Sequence, residues 1–450
     1  MPSAAEQLAS NINLGTFAKA TELKQRLLFT VLALIVYRIG TYIPVPGIDP
    51  MVLEQFFQQQ SGGMLGMVDV FAGGALSRMT VFALSIMPYI SASIIVQLMS
   101  AVVPQLEALK KEGEAGRTKL NQYTRYLTVA LALVQSYALA MGLEHMSGPA
   151  GAAVPEPGLL FRFTTTLTLT AGTVFLMWLG EQITSRGIGN GTSLIIFSSI
   201  VVRIPFSIAN ALELGRTGAI SVVSIIVLLA LIFVVIGFVV FMERAQRRVL
   251  VQYPKRQVGN KMYGGEASHL PLKLNVSGVI PAIFASSLLL LPLTLIGFTG
   301  ADASSPIVQW ISRHLGHGSP LFIFLYAAFI IFFSFFYTAV IFNPKDTADN
   351  LKKYGGFIPG IRPGNNTADY LDWILTRLTV IGAVYVALVC LLPEILTAEF
   401  GIPFYFGGTS LLIVVSVTMD TVSRIQAQLL AHQYEGLIKK ANLKGKRDRT

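Results

Sequence analysis

The chain has 450 residues, with 34 Lys and Arg against 24 Asp and Glu, a formal net charge of +10. Hydrophobic residues make up 53% and charged residues only 13%, where an average soluble domain carries roughly 25% charged residues. A disordered chain is excluded and a soluble enzyme disfavoured. The segment 220–242 separates a membrane protein from a soluble one with a large core, because it runs for 23 residues without a charge. As a helix it reaches about 35 Å, enough to cross a ~30 Å hydrocarbon layer. A single cysteine, Cys390, rules out an intramolecular disulfide. Residues 1–22 are polar and show neither a cleavable signal pattern nor an Arg-rich transit peptide. Insertion through the chain's own spans is therefore expected.

Ten apolar stretches follow in order, at about 27–43, 80–103, 126–141, 161–179, 192–208, 220–242, 276–296, 321–342, 375–392 and 403–419. Lipid offers no partner to backbone polar groups, so each stretch is predicted to be a helix. Short alternating segments, the mark of a membrane β-barrel, are not seen. Cations gather in alternate loops: Lys110, Lys111, Arg117 and Lys119 after the second stretch, and Arg244, Arg247, Arg248, Lys255, Arg256, Lys261 and Lys273 after the sixth. Lys345, Lys352, Lys353 and Arg362 follow the eighth stretch, and Lys439, Lys440, Lys444, Lys446, Arg447 and Arg449 end the chain. The opposite loops hold little more than Arg203, Arg216 and Arg313. By the positive-inside rule both termini are expected in the cytoplasm. The basic end of the chain, 431–450, reads as a solvated cytosolic tail.

Five stretches precede the short segment 205–218 and five follow it. An odd number per half places the halves, 1–204 and 219–430, in opposite orientations, the arithmetic of an inverted repeat. The segment 205–218 is then a hinge loop. The span centres carry almost no ionisable groups, which counts against a proton- or sodium-coupled carrier, the rival class with such repeats. Arg38, Glu181, Asp420 and Arg424 sit near span ends and read as interfacial or snorkelling residues. The glycine-rich run 187–191 joins two spans with no preceding strand, so it is no nucleotide loop. His314 and His317 lack further ligands for a metal, and no cofactor or enzymatic activity is expected. The glycine-rich segment 63–76 is too short to span, and reads as a re-entrant half-helix or an amphipathic loop helix. Small residues cluster at Ser91-Ala92-Ser93 and Ala285-Ser286-Ser287, suited to close helix contacts.

The strings Ile43-Pro44-Val45-Pro46-Gly47-Ile48-Asp49, Phe71-Ala72-Gly73-Gly74-Ala75-Leu76-Ser77-Arg78 and Met87-Pro88-Tyr89-Ile90-Ser91-Ala92-Ser93 carry a resemblance. So do Ile280-Pro281-Ala282-Ile283-Phe284-Ala285-Ser286-Ser287 and Gly360-Ile361-Arg362-Pro363-Gly364, with shorter strings at 110–114, 122–126, 177–183, 269–273, 342–344 and 403–413. In this order, from about residue 22 to 444, the chain resembles the SecY/Sec61-alpha family of protein-conducting channels. The resemblance implies an all-α integral membrane protein whose ten helices form two inverted five-helix halves around an hourglass pore.

Carried over by motif position, the pore ring is Ile86, Ile90, Thr192, Ile196, Ile283 and Ile413, with threonine where the family has an aliphatic residue. The segment 63–76 becomes the plug, a short re-entrant helix bearing Phe71, Gly73 and Gly74. Ser91, Ser93, Ser286 and Ser287 become the lateral gate toward lipid. The basic loops at about 243–275 and 343–374 become docking sites, with Lys255, Arg256 and Arg362 as contacts. The implied partners are a SecA-like motor ATPase, the ribosome, SecE-like and SecG-like small membrane subunits, signal peptides, unfolded preproteins and membrane lipid. The implied location is the bacterial inner membrane, and the implied task is translocation of unfolded preproteins or their sideways release into lipid.

Overall fold

The computed structural model of the protein describes residues 21–49, 52–53, 69, 71–145, 147–148, 151–217, 221–253, 256–258, 261–263, 267–298, 314, 319–400 and 408–447. Helix α1 is Thr21–Gly40, α2 Met87–Val102, α3 Pro104–Lys111, α4 Glu114–His145, α5 Leu159–Arg186 and α6 Gly191–Arg216. In the second half, α7 is Val222–Arg244, α8 Ile280–Phe298, α9 Pro320–Ile341, α10 Pro344–Lys353, α11 Asn365–Phe400 and α12 Gly408–Arg447. Every predicted stretch contains a helix. Among the described residues, seven helices are long and apolar enough to cross a membrane, and α2 with α3 makes an eighth candidate bent by 97°. The two remaining stretches hold α1 and α8.

Local chemistry sets many of the boundaries. Pro104 disfavours a helical Val103, which is extended at φ −93° and ψ 116°, and there α2 breaks into α3. Pro320 and Pro344 occupy the first turns of α9 and α10, where a missing N–H costs nothing. The side-chain oxygens of Asn190, Ser319 and Asn343 accept backbone N–H groups at the starts of α6, α9 and α10.

Three boundaries differ from the sequence reading. The stretch 80–103 is regular helix only from Met87, and residues 81–86 form turns. Met79 and Ser85 have φ of 46° and 51°, a left-handed geometry that interrupts a right-handed helix. The segment 205–218 is helical as far as Arg216, with Pro205 inside α6. One lost backbone bond does not end a helix whose flanking turns keep theirs. Finally, α12 continues to Arg447 and takes in most of the expected tail.

In the first half α4 packs on α2 and α5, and α5 on α1 and α6; in the second α9 packs on α8 and α11, and α12 on α7 and α11. The halves meet where α8 touches α2 and α4, and where α6 touches α7 and α12. Only 11% of the apolar window of α7 is buried within the protein, against 61% for α11. Val223, Ile226, Phe233, Val234 and Phe241 of α7 point outward. So continuous an apolar face belongs against lipid.

The small strands β1 (Ser147–Gly148) and β2 (Gly151–Ala152) pair between α4 and α5. The larger hairpin joins β3 (Gln246–Gln252) to β6 (Ala267–Lys273), with Gln246 opposite Lys273 and Gln252 opposite Ala267. Between them β4 (Arg256–Val258) pairs with β5 (Lys261–Tyr263). Gln252 and Phe357 exchange both backbone hydrogen bonds at 2.9 Å, which ties this hairpin to the 354–364 loop. Val249, Val251, Leu272, Ile358, Leu371 and Leu375 close a shared apolar core beneath them. The two basic loops therefore form one lobe.

Phe357→Pro removes the N–H that bonds Gln252, at a cost of about 1–3 kcal/mol. Limited proteolysis of membrane-embedded protein should then cut the 344–364 region faster than in the parent. An unchanged cleavage rate would show that the lobe does not depend on this bridge.

Candidate pore waist and lateral gate

Ile86 immediately precedes α2, and Ile90 lies in its first turn. Ile196 lies in the second turn of α6, and Ile283 in the first turn of α8. Tertiary packing brings these four side chains round one small cavity with Phe71, Ser85, Met87, Ser286 and Ser287. Its volume is about 10 Å³, room for one water at most. The wall of the cavity draws on both halves of the chain.

Two expected ring residues stand elsewhere. Ile413 is buried in the same apolar core, 1% exposed, but does not line the cavity. Thr192 is half-buried in the first turn of α6, where its backbone N–H bonds Asn190 Oδ1 at 3.1 Å. The Asn190 cap starts α6 at Gly191, so the cavity is reached one turn later, by Ile196.

The gate serines divide in the same way. Ser286 and Ser287 line the cavity, and Ser286 Oγ donates to the Ile283 carbonyl at 3.0 Å. Ser287 Oγ is buried and has no hydrogen-bond partner among the described residues. A buried hydroxyl in that state costs free energy. Ser91 and Ser93 are half-buried on α2 and do not line the cavity; Ser93 accepts from Gln97 Nε2 at 3.0 Å. At the far end of this seam, Lys110 Nζ donates to the Val340 carbonyl at the end of α9, 3.1 Å away. That contact joins the halves beside α2 and α8.

Residues 63–68 and 70 of the expected plug lie outside the described residues. In its described part Asp69 and Phe71 are helical and residues 72–76 form turns, with Gly73 and Gly74 at φ of 65° and 85°. Left-handed backbone there favours glycine, and a Cβ on Gly73 would stand 3.1 Å from Ser199 Cα on α6. The buried Asp69 pairs with Arg203 of α6, and Arg38 Nη1 donates to the Gly73 carbonyl at 3.0 Å. The guanidinium groups of Arg38 and Arg78 lie 4.8 and 4.4 Å from the Tyr42 ring centre.

Sequence reasoning missed Asp69 and assigned Arg203 to an outer loop and Arg38 to snorkelling. The signal was present as one acid inside a glycine-rich apolar segment. Glu181, also read as interfacial, accepts from Arg125 Nε and Nη2 at 2.8 and 2.7 Å, and Asp420 pairs with Arg424.

On the β3–β6 lobe Arg362 is exposed. Arg256 opens β4, and Lys255 lies outside the described residues.

The family model named SecY matches residues 80–422. The chain belongs to the SecY family. It is 55% identical over 423 residues to the protein translocase subunit SecY of Rickettsia conorii, covering 94% of this chain and 97% of that protein. A solved structure described as that of a protein-conducting channel superposes with a TM-score of 0.64 at 18% identity, covering 90% and 92% of the two chains. The channel of a canine Sec61 ribosome-channel complex from the endoplasmic reticulum gives a TM-score of 0.62 at 17% identity, with the same coverage. These likenesses show the SecY channel fold, and the chain is a multi-pass membrane protein.

Ile283→Asn places an amide in the cavity wall. The waist should then hydrate, and ion leak through reconstituted protein should rise above the parent value. Ile413→Asn should lower thermal stability more than it raises leak, because that side chain is packed in the core rather than at the cavity. Equal leak from the two variants would contradict this division.

Proposed function

We propose that the chain is the channel subunit through which unfolded preproteins cross the bacterial inner membrane, or leave sideways into it, with both termini in the cytoplasm. The observation that carries this reading is the apolar waist, closed by Ile86, Ile90, Ile196 and Ile283 from both halves and met by Phe71 of the plug segment. An apolar constriction excludes water and ions by dewetting, with no charged filter. Its side chains make no directional bonds to cargo, so chains of different sequence are accommodated alike. Asn or Asp in the same places would bind some cargo groups and leave the closed pore wet.

The seam between α2 and α8 is the exit for hydrophobic segments. Burying apolar surface is worth about 25 cal/mol per Å², so a signal segment of ~20 apolar residues partitions into lipid once the seam admits it. The work of moving polar chain comes from a partner. A SecA-like motor or the ribosome would dock on the lobe of β3, β6 and the 354–364 loop, where Arg362 offers a fork for carboxylate or phosphate. Arg256 and Lys255 extend the same cationic surface. Small SecE-like and SecG-like membrane subunits would clamp the two halves from outside. The halves 1–204 and 219–430 then move about the α6–α7 connection, which is shorter than the sequence implied because α6 runs to Arg216.

The direct test traps a moving chain. With Cys390→Ser as background, a cysteine at Ile283 should form a disulfide with a cysteine in the mature part of an arrested precursor, only when motor ATP hydrolysis is allowed. No cross-link from an export-competent variant, with positive controls on the cytoplasmic lobe, would remove the waist from the path. Arg362→Glu should slow motor-driven export several-fold without loss of folded protein. Normal export with the motor limiting would exclude that residue from docking.

A further inference from the structure

We propose that Asp69, Arg203 and Arg38 form a charge clip that sets how readily the plug segment leaves the waist, and so which signal segments open the channel; the proposal rests on the channel reading above. Asp69 is the centre of the arrangement. Its side chain is 4% exposed, and one carboxylate oxygen pairs with Arg203 Nη2. The other accepts the Ser77 N–H at 2.9 Å, and the Asp69 carbonyl accepts the Gly74 N–H at 3.0 Å. The same residue therefore shapes the turn and ties it to a helix 134 positions away in sequence.

A second tie comes from α1, where Arg38 Nη1 holds the Gly73 carbonyl. The turn also lies against Ser199 of α6, whose hydroxyl shares a 2.6 Å hydrogen bond with Tyr37 of α1. Both anchoring helices belong to the first half of the chain.

The clip and the waist are mechanically linked. Phe71 follows Asp69 by two residues and lines the cavity. On α6, Ile196 lines that cavity and Arg203 holds Asp69. Seven residues separate the two, about two turns on one helix face. Moving the plug away from Ile196 therefore pulls Asp69 from Arg203.

Apolar contact between Phe71 and the isoleucines is non-directional and permits sliding. A buried carboxylate is different, because losing its cation leaves an uncompensated charge, and such pairs serve best to fix one registry. The plug thus has one discrete closed position. A signal segment must supply enough binding energy to break the pair and hydrate both groups. Strong signals meet that threshold and defective ones do not.

The test uses the full-length channel in proteoliposomes without precursor, read as ion leak, and in cells, read as export of a precursor with a defective signal. Asp69→Asn and Arg203→Gln should each raise leak roughly tenfold and admit the defective precursor. Asp69→Arg should leak most, since it faces two arginines. Adding Arg203→Asp to Asp69→Arg should restore closure.

Arg203→Lys keeps the charge without the planar fork and covers the case in which Asp69→Asn does not fold. It should leak less than Arg203→Gln, and equal leak from those two overturns the proposal. A charge swap as leaky as Asp69→Arg alone also overturns it. Ile283→Asn is the reference. Leak there with tight closure in the clip variants overturns the clip alone, whereas tight closure in all of them overturns the channel reading with it.

Discussion

The isoleucines lining the central cavity, Ile86, Ile90, Ile196 and Ile283, come from both halves of the chain and meet with room for no more than a water between them. In the function proposed above, their contact is a seal that opens for cargo and closes without it. Apolar side chains suit both demands, since they shed water when together and hold no cargo by directional bonds. The rest of the molecule keeps these residues in register. The Asn190 cap decides which turn of α6 faces the cavity, and the turns before Met87 set Ile86 beside Ile90.

Polar interactions are kept at the margins of this seal, where they give position. On the plug side, Asp69, Arg203 and Arg38 fix the turn that presents Phe71. Beside the seam, Lys110 reaches the end of α9. At the end of α7, Glu243 accepts from Asn275 Nδ2 at 2.9 Å, and Asn275 also bonds Ser277 and Gly278 just before α8. Asn275 therefore connects the β3–β6 lobe to the helix that carries Ile283.

Much of this was legible in the residues. Uncharged runs of sufficient length become helices because lipid leaves the backbone no alternative, and every predicted stretch holds one. Prolines at 104, 320 and 344 mark helix starts by the same local rule that a sequence reader applies. Positions 86, 90, 196 and 283, and Phe71, singled out by motif position, line one cavity; their role as a pore ring belongs to the proposal above. The expectation failed where local rules compete. The segment 205–218 was read as a hinge loop, whereas the helix runs to Arg216, and the stretch at 80–86 looked helical by composition while residues 81–86 form turns, with Ser85 at φ 51°.

By itself the sequence determined the elements: span lengths, the alternation of basic loops and the caps, all consequences of neighbouring residues and of the solvent they meet. Only the tertiary structure decided the partnerships. Asp69 and Arg203, Gln252 and Phe357, and Lys110 and Val340 are separated by long stretches of chain. A single charge looks the same in sequence whether it snorkels to water or meets a buried counter-charge. Which of the two occurs depends on the packing of whole helices, and that is settled by the summed contacts of many apolar side chains rather than by any local pattern.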